Sequence, residues 1–113
     1  MATRRLIEDK IDSKKVMVFS KSYCPYCAKA KKVFENLKLS PEEYEVWEID
    51  KESNCNEIQT ILGNKTGKTS VPRVFINGKF FGGGDDVVMA AQKGTLRGII
   101  DQNVPKAQQY QHY

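Results

Sequence analysis

The sequence predicts an α/β fold, a four-stranded mixed sheet flanked by helices. Three observations predict it. A continuous apolar run, Val16-Met17-Val18-Phe19, leads into a segment of helical periodicity and then into a second extended run from Tyr44. A helix joining two such runs implies parallel pairing through a right-handed crossover. Farther on, Val74-Phe75-Ile76 and Lys79-Phe80-Phe81 flank Asn77-Gly78, the strongest short-range signal of an antiparallel hairpin.

The elements follow in order. Thr3 is placed to cap a short first helix, with Ile7 and Ile11 one turn apart. Lys15 to Ser20 is the pattern of a strand buried on both faces. Pro25 suits a first helical turn, where its missing N–H costs nothing. Ala30, Val33, Phe34 and Leu37 then fall at i, i+3, i+4 and i+7, and Ser40-Pro41 ends that amphipathic helix. Tyr44 to Asp50 reads as the second strand. Asn54 with Glu57 resembles a capping box ahead of Ile58, Ile61 and Leu62. Gly63 reads as the helix stop, and Gly63 to Ser70 as a polar loop. After the hairpin, Gly82-Gly83-Gly84 makes a tight loop. Asp85 or Asp86 caps a last helical region that carries Val87, Val88 and Ala91. Beyond Gly94 the helix resumes from Thr95 to Asn103 with Leu96, Ile99 and Ile100. Residues 105–113 form a Gln-rich tail expected to fray. The order α-β-α-β-α-β-β-α is a thioredoxin-like architecture, with residues 1–113 as one domain.

A chain of 113 residues is long enough to bury a core without staples. Its three cysteines, an odd count, do not make a secreted disulfide framework. The start, Met1-Ala2-Thr3-Arg4-Arg5, turns acidic at Glu8 and Asp9. It lacks the roughly 7–15 apolar residues of a signal peptide, and no run approaches the ~20 that span a bilayer. The expectation is a cytoplasmic protein in a reducing compartment, away from membranes. The net charge is +4. Lys29, Lys31, Lys32 and Lys38 read either as a solvated helix face or as a positive field that steers anionic substrates. They carry no interleaved aromatic or groove-reading motif, so nucleic acid is not expected as a partner.

Chemistry concentrates at Cys24-Pro25-Tyr26-Cys27. The first sulfur falls at a helix N-terminus, where unpaired N–H groups and the helix dipole favour negative charge. A thiolate is the species that attacks disulfides. The second sulfur lies one turn later on the same face, close enough to bridge. A structural zinc site wants four ligands in two clusters. Only Cys55 and His112 remain to supply them, unpaired and far apart in sequence, so no metal is expected. A structural disulfide closing so short a ring removes little loop entropy. Redox chemistry is the reading that survives.

Several separated motifs occur in one order: Lys21-Ser22 before the thiols, Thr69-Ser70-Val71-Pro72 before the hairpin, Asn77-Gly78 in its turn, and Gly82-Gly83-Gly84-Asp85-Asp86 after it. Together they resemble a dithiol glutaredoxin over residues 4–103. The resemblance implies a thiol–disulfide oxidoreductase with glutathione as co-substrate, acting on glutathionylated or disulfide-containing proteins. Glutathione reductase and NADPH would recycle the glutathione, and the chain would act as a monomer. It implies Cys24 as nucleophile and Cys27 as resolving thiol. Lys21, assisted by Gln59, would meet the glycine carboxylate of glutathione, and Tyr26 would pack beside the exposed sulfur. Val71-Pro72 would be a cis peptide whose Val71 backbone pairs with the cysteinyl residue as an added strand does. Gly83, Gly84 and Asp85 would hold the γ-glutamyl end, with Asp86 the second choice for its ammonium. Where this chain has Gly84 the family often has Ser, Thr or Cys. A serine there is therefore expected to add one hydrogen bond to the ligand. Cys55 has no role in the pattern. The alternative that the resemblance carries is a [2Fe–2S] cluster bridged between two copies by the first cysteine of each and two glutathiones.

Overall fold

In the computed structural model, which describes residues 2–102, four strands form one sheet in the order β2-β1-β3-β4. The first strand, β1 (Val16–Ser20), is central and buried along its whole length. It pairs in parallel with β2 (Tyr44–Glu48), from Val16 opposite Tyr44 to Ser20 opposite Glu48. On its other side it pairs antiparallel with β3 (Arg73–Ile76), from Val16 opposite Ile76 to Phe19 opposite Arg73. β4 (Lys79–Gly82) completes the hairpin and the sheet.

Period-2 alternation along β1 and β3 divides the core in two. Val16, Val18, Val74 and Ile76 face α2 (Pro25–Asn36), α4 (Gly84–Gln92) and α5 (Leu96–Asp101), meeting Ala30, Phe34, Val87, Leu96 and Ile100. Met17, Phe19 and Phe75 face α1 (Ala2–Ser13) and α3 (Cys55–Thr66), meeting Ile7, Ile11, Ile58 and Leu62. Phe19 packs edge-on against Phe75 with ring centroids 5.7 Å apart.

The hairpin turn uses positive φ at both Asn77 (53°) and Gly78 (82°), the combination a tight two-residue loop requires. Asn77 does more than turn the chain. Its Nδ2 donates to the carbonyls of Ile99, Ile100 and Gln102 at 3.1–3.3 Å, capping the C-terminus of α5.

Several boundaries differ from the sequence reading, each for a tertiary reason. Thr3 lies inside α1, and its hydroxyl donates to Glu57 at 2.9 Å while accepting from Asn54 at 3.2 Å. Asn54 and Glu57 therefore bind α1 to α3 instead of forming a capping box on their own helix. The second strand stops at Glu48, and Ile49–Lys51 makes a 3-10 turn that buries Ile49. α3 runs through Gly63 to Thr66 and ends at Gly67, which takes φ 90° and donates its N–H to the Gly63 carbonyl. Gly63 answers to packing: a Cβ there would fall 2.6 Å from Thr69 Cγ2. In α4 the inward positions are Val87 and Ala90, and Ala91 faces solvent. α5 spans Leu96–Asp101 only. The tail and His112 lie outside the described residues.

Candidate active site

Antiparallel pairing of β1 with β3 brings the C-terminal end of one strand to the N-terminal end of the other. Phe19 sits opposite Arg73, so the loop leaving β1 meets the loop entering β3. β4 delivers its own C-terminal end to the same side, Gly82 opposite Val74. Lys21–Cys27, Thr69–Pro72 and Gly83–Asp86 therefore converge at one edge of the sheet.

Cys24 is the N-cap of α2, with extended backbone (φ −90°, ψ 120°), and Pro25 follows in the first turn. Its Sγ accepts the Cys27 N–H at 3.2 Å, a donor that stabilises negative charge on that sulfur. The Cys24 N–H is held by the Lys21 carbonyl at 3.1 Å. Ser22 anchors the same loop, donating through its amide and hydroxyl to Asp50 at 3.0 and 2.5 Å. The Ser22 hydroxyl and amide in turn hold the Asp50 carboxyl below its ordinary value. Asp50 is a site support the sequence reading placed on a strand.

The two thiols live in different surroundings. Cys24 is half-buried, while Cys27 is 0 % exposed. Burial first, and the hydrogen bond with Cys24 second, push the Cys27 thiol from 9.0 up to about 11. Cys27 is thus held as a thiol at neutral pH. One turn further along α2, Lys31 pairs with Glu48 at 2.8 Å, and that carboxylate raises the lysine's pKa. Tyr26, 54 % exposed, stands beside the thiols with Lys29 Nζ 5.4 Å from its ring centroid.

Across from Cys24, the Val71-Pro72 peptide is cis. The Cys24 thiol lies 3.8 Å from the Val71 carbonyl. Among the described residues the Val71 N–H has no acceptor. Gln59 reaches this loop from α3, donating to the Thr69 carbonyl at 2.9 Å and accepting from the Cys55 thiol at 3.6 Å.

The Gly82–Asp86 loop completes the edge. Gly83 caps α4, and its N–H donates to Asp86 at 2.9 Å. Asp86 is therefore spent on the cap. Asp85 is exposed and without a partner among the described residues; Gly84 is buried, and its first-turn N–H has no partner among them. Gly84 packs tightly: a Cβ would lie 3.0 Å from the Tyr26 carbonyl and 3.5 Å from Pro72. Lys21 also has no side-chain partner among the described residues. Behind this loop sits Arg73, which sequence reasoning missed. It is 7 % exposed, and its Nε donates to the Pro72 carbonyl at 3.2 Å. Burial pulls the guanidinium pKa down while the charge of Asp86 opposes that shift. A basic residue opening a hydrophobic strand was the only available signal.

A dithiol at a helix N-terminus, opposed by a cis-proline at one edge of a mixed sheet, is the site of a thioredoxin-like thiol–disulfide protein. The family model for Glutaredoxin matches residues 16–81. Glutaredoxin-C4 of Arabidopsis thaliana is 47 % identical over 94 residues, 83 % of this chain and 67 % of that protein. Oxidized glutaredoxin 2 from Chlamydomonas reinhardtii superposes with a TM-score of 0.82 at 43 % identity, covering 90 % of this chain and 94 % of that one. A buckwheat glutaredoxin–glutathione complex superposes with a TM-score of 0.82 at 35 % identity, covering 90 % of each chain. The chain belongs to the glutaredoxin family, whose members are generally thiol–disulfide oxidoreductases.

Proposed function

We propose that this glutaredoxin reduces glutathione mixed disulfides through Cys24, with Cys27 as the resolving thiol. The observation that carries the reading is the asymmetry of the two sulfurs. Cys24 is accessible and accepts a backbone N–H, while Cys27 is fully buried and pushed up to about 11.

The Cys24 thiolate attacks the glutathione sulfur of a protein–glutathione mixed disulfide. The protein sulfur leaves with the bonding pair and takes a proton, and Cys24 carries glutathione. A second glutathione thiolate attacks that adduct, forming glutathione disulfide and freeing Cys24. In the dithiol branch, Cys27 loses its proton and attacks Cys24, closing a Cys24–Cys27 disulfide and releasing glutathione. That step needs the Cys27 thiolate, the nucleophilic form.

Glutathione fits the edge in an extended pose. Lys21 faces its glycine carboxylate. Val71 offers a free N–H and a carbonyl to the cysteinyl backbone. The Gly84 N–H at the start of α4 takes the γ-glutamyl carboxylate, and Asp85 faces the ammonium. Gln59 holds the Thr69 carbonyl and so fixes the loop that carries Val71. In the buckwheat relative the complex with glutathione supports this choice of ligand. The reading places the protein in a reducing compartment such as the cytoplasm.

The test is a coupled NADPH-oxidation assay with glutathione, glutathione reductase and a small glutathione mixed disulfide. Cys24→Ser is expected to abolish turnover. Cys27→Ser is expected to keep mixed-disulfide reduction and lose direct reduction of protein disulfides. Full activity in Cys24→Ser overturns the assignment. A brown protein with visible absorbance would favour instead the glutathione-ligated [2Fe–2S] reading.

A further inference from the structure

Arg73 and Ser20 are the buried polar side chains among the described residues, and Arg73 alone is charged. A charge so placed needs partners, because burying it unpaired costs several kcal/mol. Its contacts reach three separate segments of the site. Nε donates to the carbonyl of the cis-proline, Pro72, at 3.2 Å. Nη1 donates at 3.5 Å to Thr66 Oγ1 at the end of α3. Thr66 Oγ1 itself lies 2.8 Å from the Leu62 carbonyl and 3.1 Å from the Lys68 carbonyl. Nη2 lies behind Gly83, where a Cβ would meet it at 3.2 Å. The guanidinium plane is supported by Phe80, 5.0 Å from the ring centroid. Asp86, which caps Gly83 at 2.9 Å, lines the same groove of about 380 Å³.

The two loops that Arg73 lies against are those assigned to the ligand. Val71-Pro72 faces the cysteinyl residue, and Gly83-Gly84-Asp85 faces the γ-glutamyl end. Both loops flank the β3–β4 ladder, whose last pair is Val74 with Gly82, and beyond that pair the backbone ladder no longer holds them. The planar fork bonds the Pro72 carbonyl and Thr66 while its Nη2 packs behind Gly83, a fixed shape between the two loops that an ammonium, a point charge, does not reproduce. We propose that Arg73 is the positioning residue of the glutathione site. It sets the spacing between the cis-proline loop and the γ-glutamyl loop without touching the ligand. The inference rests on the binding mode proposed above. It places the site's selectivity for glutathione partly in a side chain on the far side of the loops that contact it.

The experiment uses Arg73→Met, Arg73→Lys and Thr66→Val in the full chain. KM and kcat are measured with a glutathione mixed disulfide and with the corresponding cysteinylglycine mixed disulfide. For Arg73→Met the expected result is a KM for the glutathione substrate raised several-fold. kcat and the rate of Cys24 alkylation should stay near wild type. The preference over the cysteinylglycine substrate should shrink in step. Arg73→Lys keeps the charge but not the fork, and should recover only part of the effect. Thr66→Val should give a smaller rise in KM. If Arg73→Met does not fold, the Arg73→Lys comparison decides. A lowered melting temperature with unchanged KM and preference would make Arg73 purely structural and overturn the inference. A wild-type protein with no preference for the glutathione substrate would instead remove the binding mode itself, whatever the Arg73 variants do.

Discussion

At the scale of single residues, the site works through differences between neighbours that look alike in the sequence. Cys24 and Cys27 are three positions apart, and burial separates their chemistry. The raised Cys27 pKa makes stability depend on pH in a fixed direction. Below the unfolded thiol value of 9.0 the group is protonated in both states, and its contribution is fully present. As pH rises from there toward about 11, the unfolded chain releases the proton and the folded chain does not. Stability is therefore lost, by up to about 2–3 kcal/mol for a shift of this size. Denaturant unfolding of the reduced protein at pH 8 and at about pH 10.5 should show that loss, and Cys27→Ala should lack most of it. The buried Tyr44 phenol, whose pKa burial also raises, contributes equally to both proteins and cancels in the comparison. Gly84 supplies a second residue-scale prediction. The family resemblance suggested that serine there would gain a hydrogen bond to glutathione. The Tyr26 carbonyl, 3.0 Å from where a Cβ would lie, reverses that expectation. Gly84→Ser must push the first turn of α2, and a higher KM for glutathione is the expected outcome. A lower one would show that Tyr26 yields. Asp85 and Asp86 also part company: Asp86 is engaged by Gly83. Asp85→Asn should therefore erode the preference for glutathione over cysteinylglycine substrates, and an unchanged preference would take Asp85 out of the site.

Elements were legible where a local period or a turn chemistry dictated them. The hairpin at Asn77-Gly78 follows from positive φ, which these two residues tolerate at low cost. The capping of α5 by the same asparagine was not legible, because its acceptors lie more than twenty positions away. Asn77→Gly separates the two roles, since glycine keeps the turn and deletes the cap. A loss of about 1 kcal/mol is expected, with faster amide exchange confined to α5. An unchanged exchange pattern there would mean the cap contributes nothing. Helix ends were the least legible feature. Gly63 and Gly67 are both reasonable stops in sequence. Only Gly67 is free to take φ 90°, while Gly63 is occupied in letting Thr69 approach.

Over the whole molecule, α2 joins the chemistry to the stability. Its first turn holds both thiols, and its inner face supplies Ala30 and Phe34 to the core on that side of the sheet. Phe34 is fully buried, with its ring 5.5 Å from that of Tyr44. Phe34→Ala is expected to cost about 3–5 kcal/mol, a large share of the roughly 5–15 kcal/mol that stabilises a domain. Because the site is assembled from three loops on one sheet edge, activity should fall with the folded fraction along the same denaturant curve. Activity lost well before the fold would show that α2 can shift independently.

The sequence alone determined what depends on near neighbours. Strand and helix faces followed from periods of two and 3.6, the tight hairpin from Asn77-Gly78, and the placement of Cys24 and Cys27 from one helical turn. Tertiary structure decided everything set by distance in space. It took Thr3, Asn54 and Glu57 from expected caps and used them to bind α1 to α3. It made Gly83 the N-cap of α4, with Asp86 rather than Asp85 accepting its N–H, and it buried Arg73 between two loops that have no contact in sequence. A side chain's propensity is local, whereas burial and the identity of a hydrogen-bond partner are properties of the packed chain.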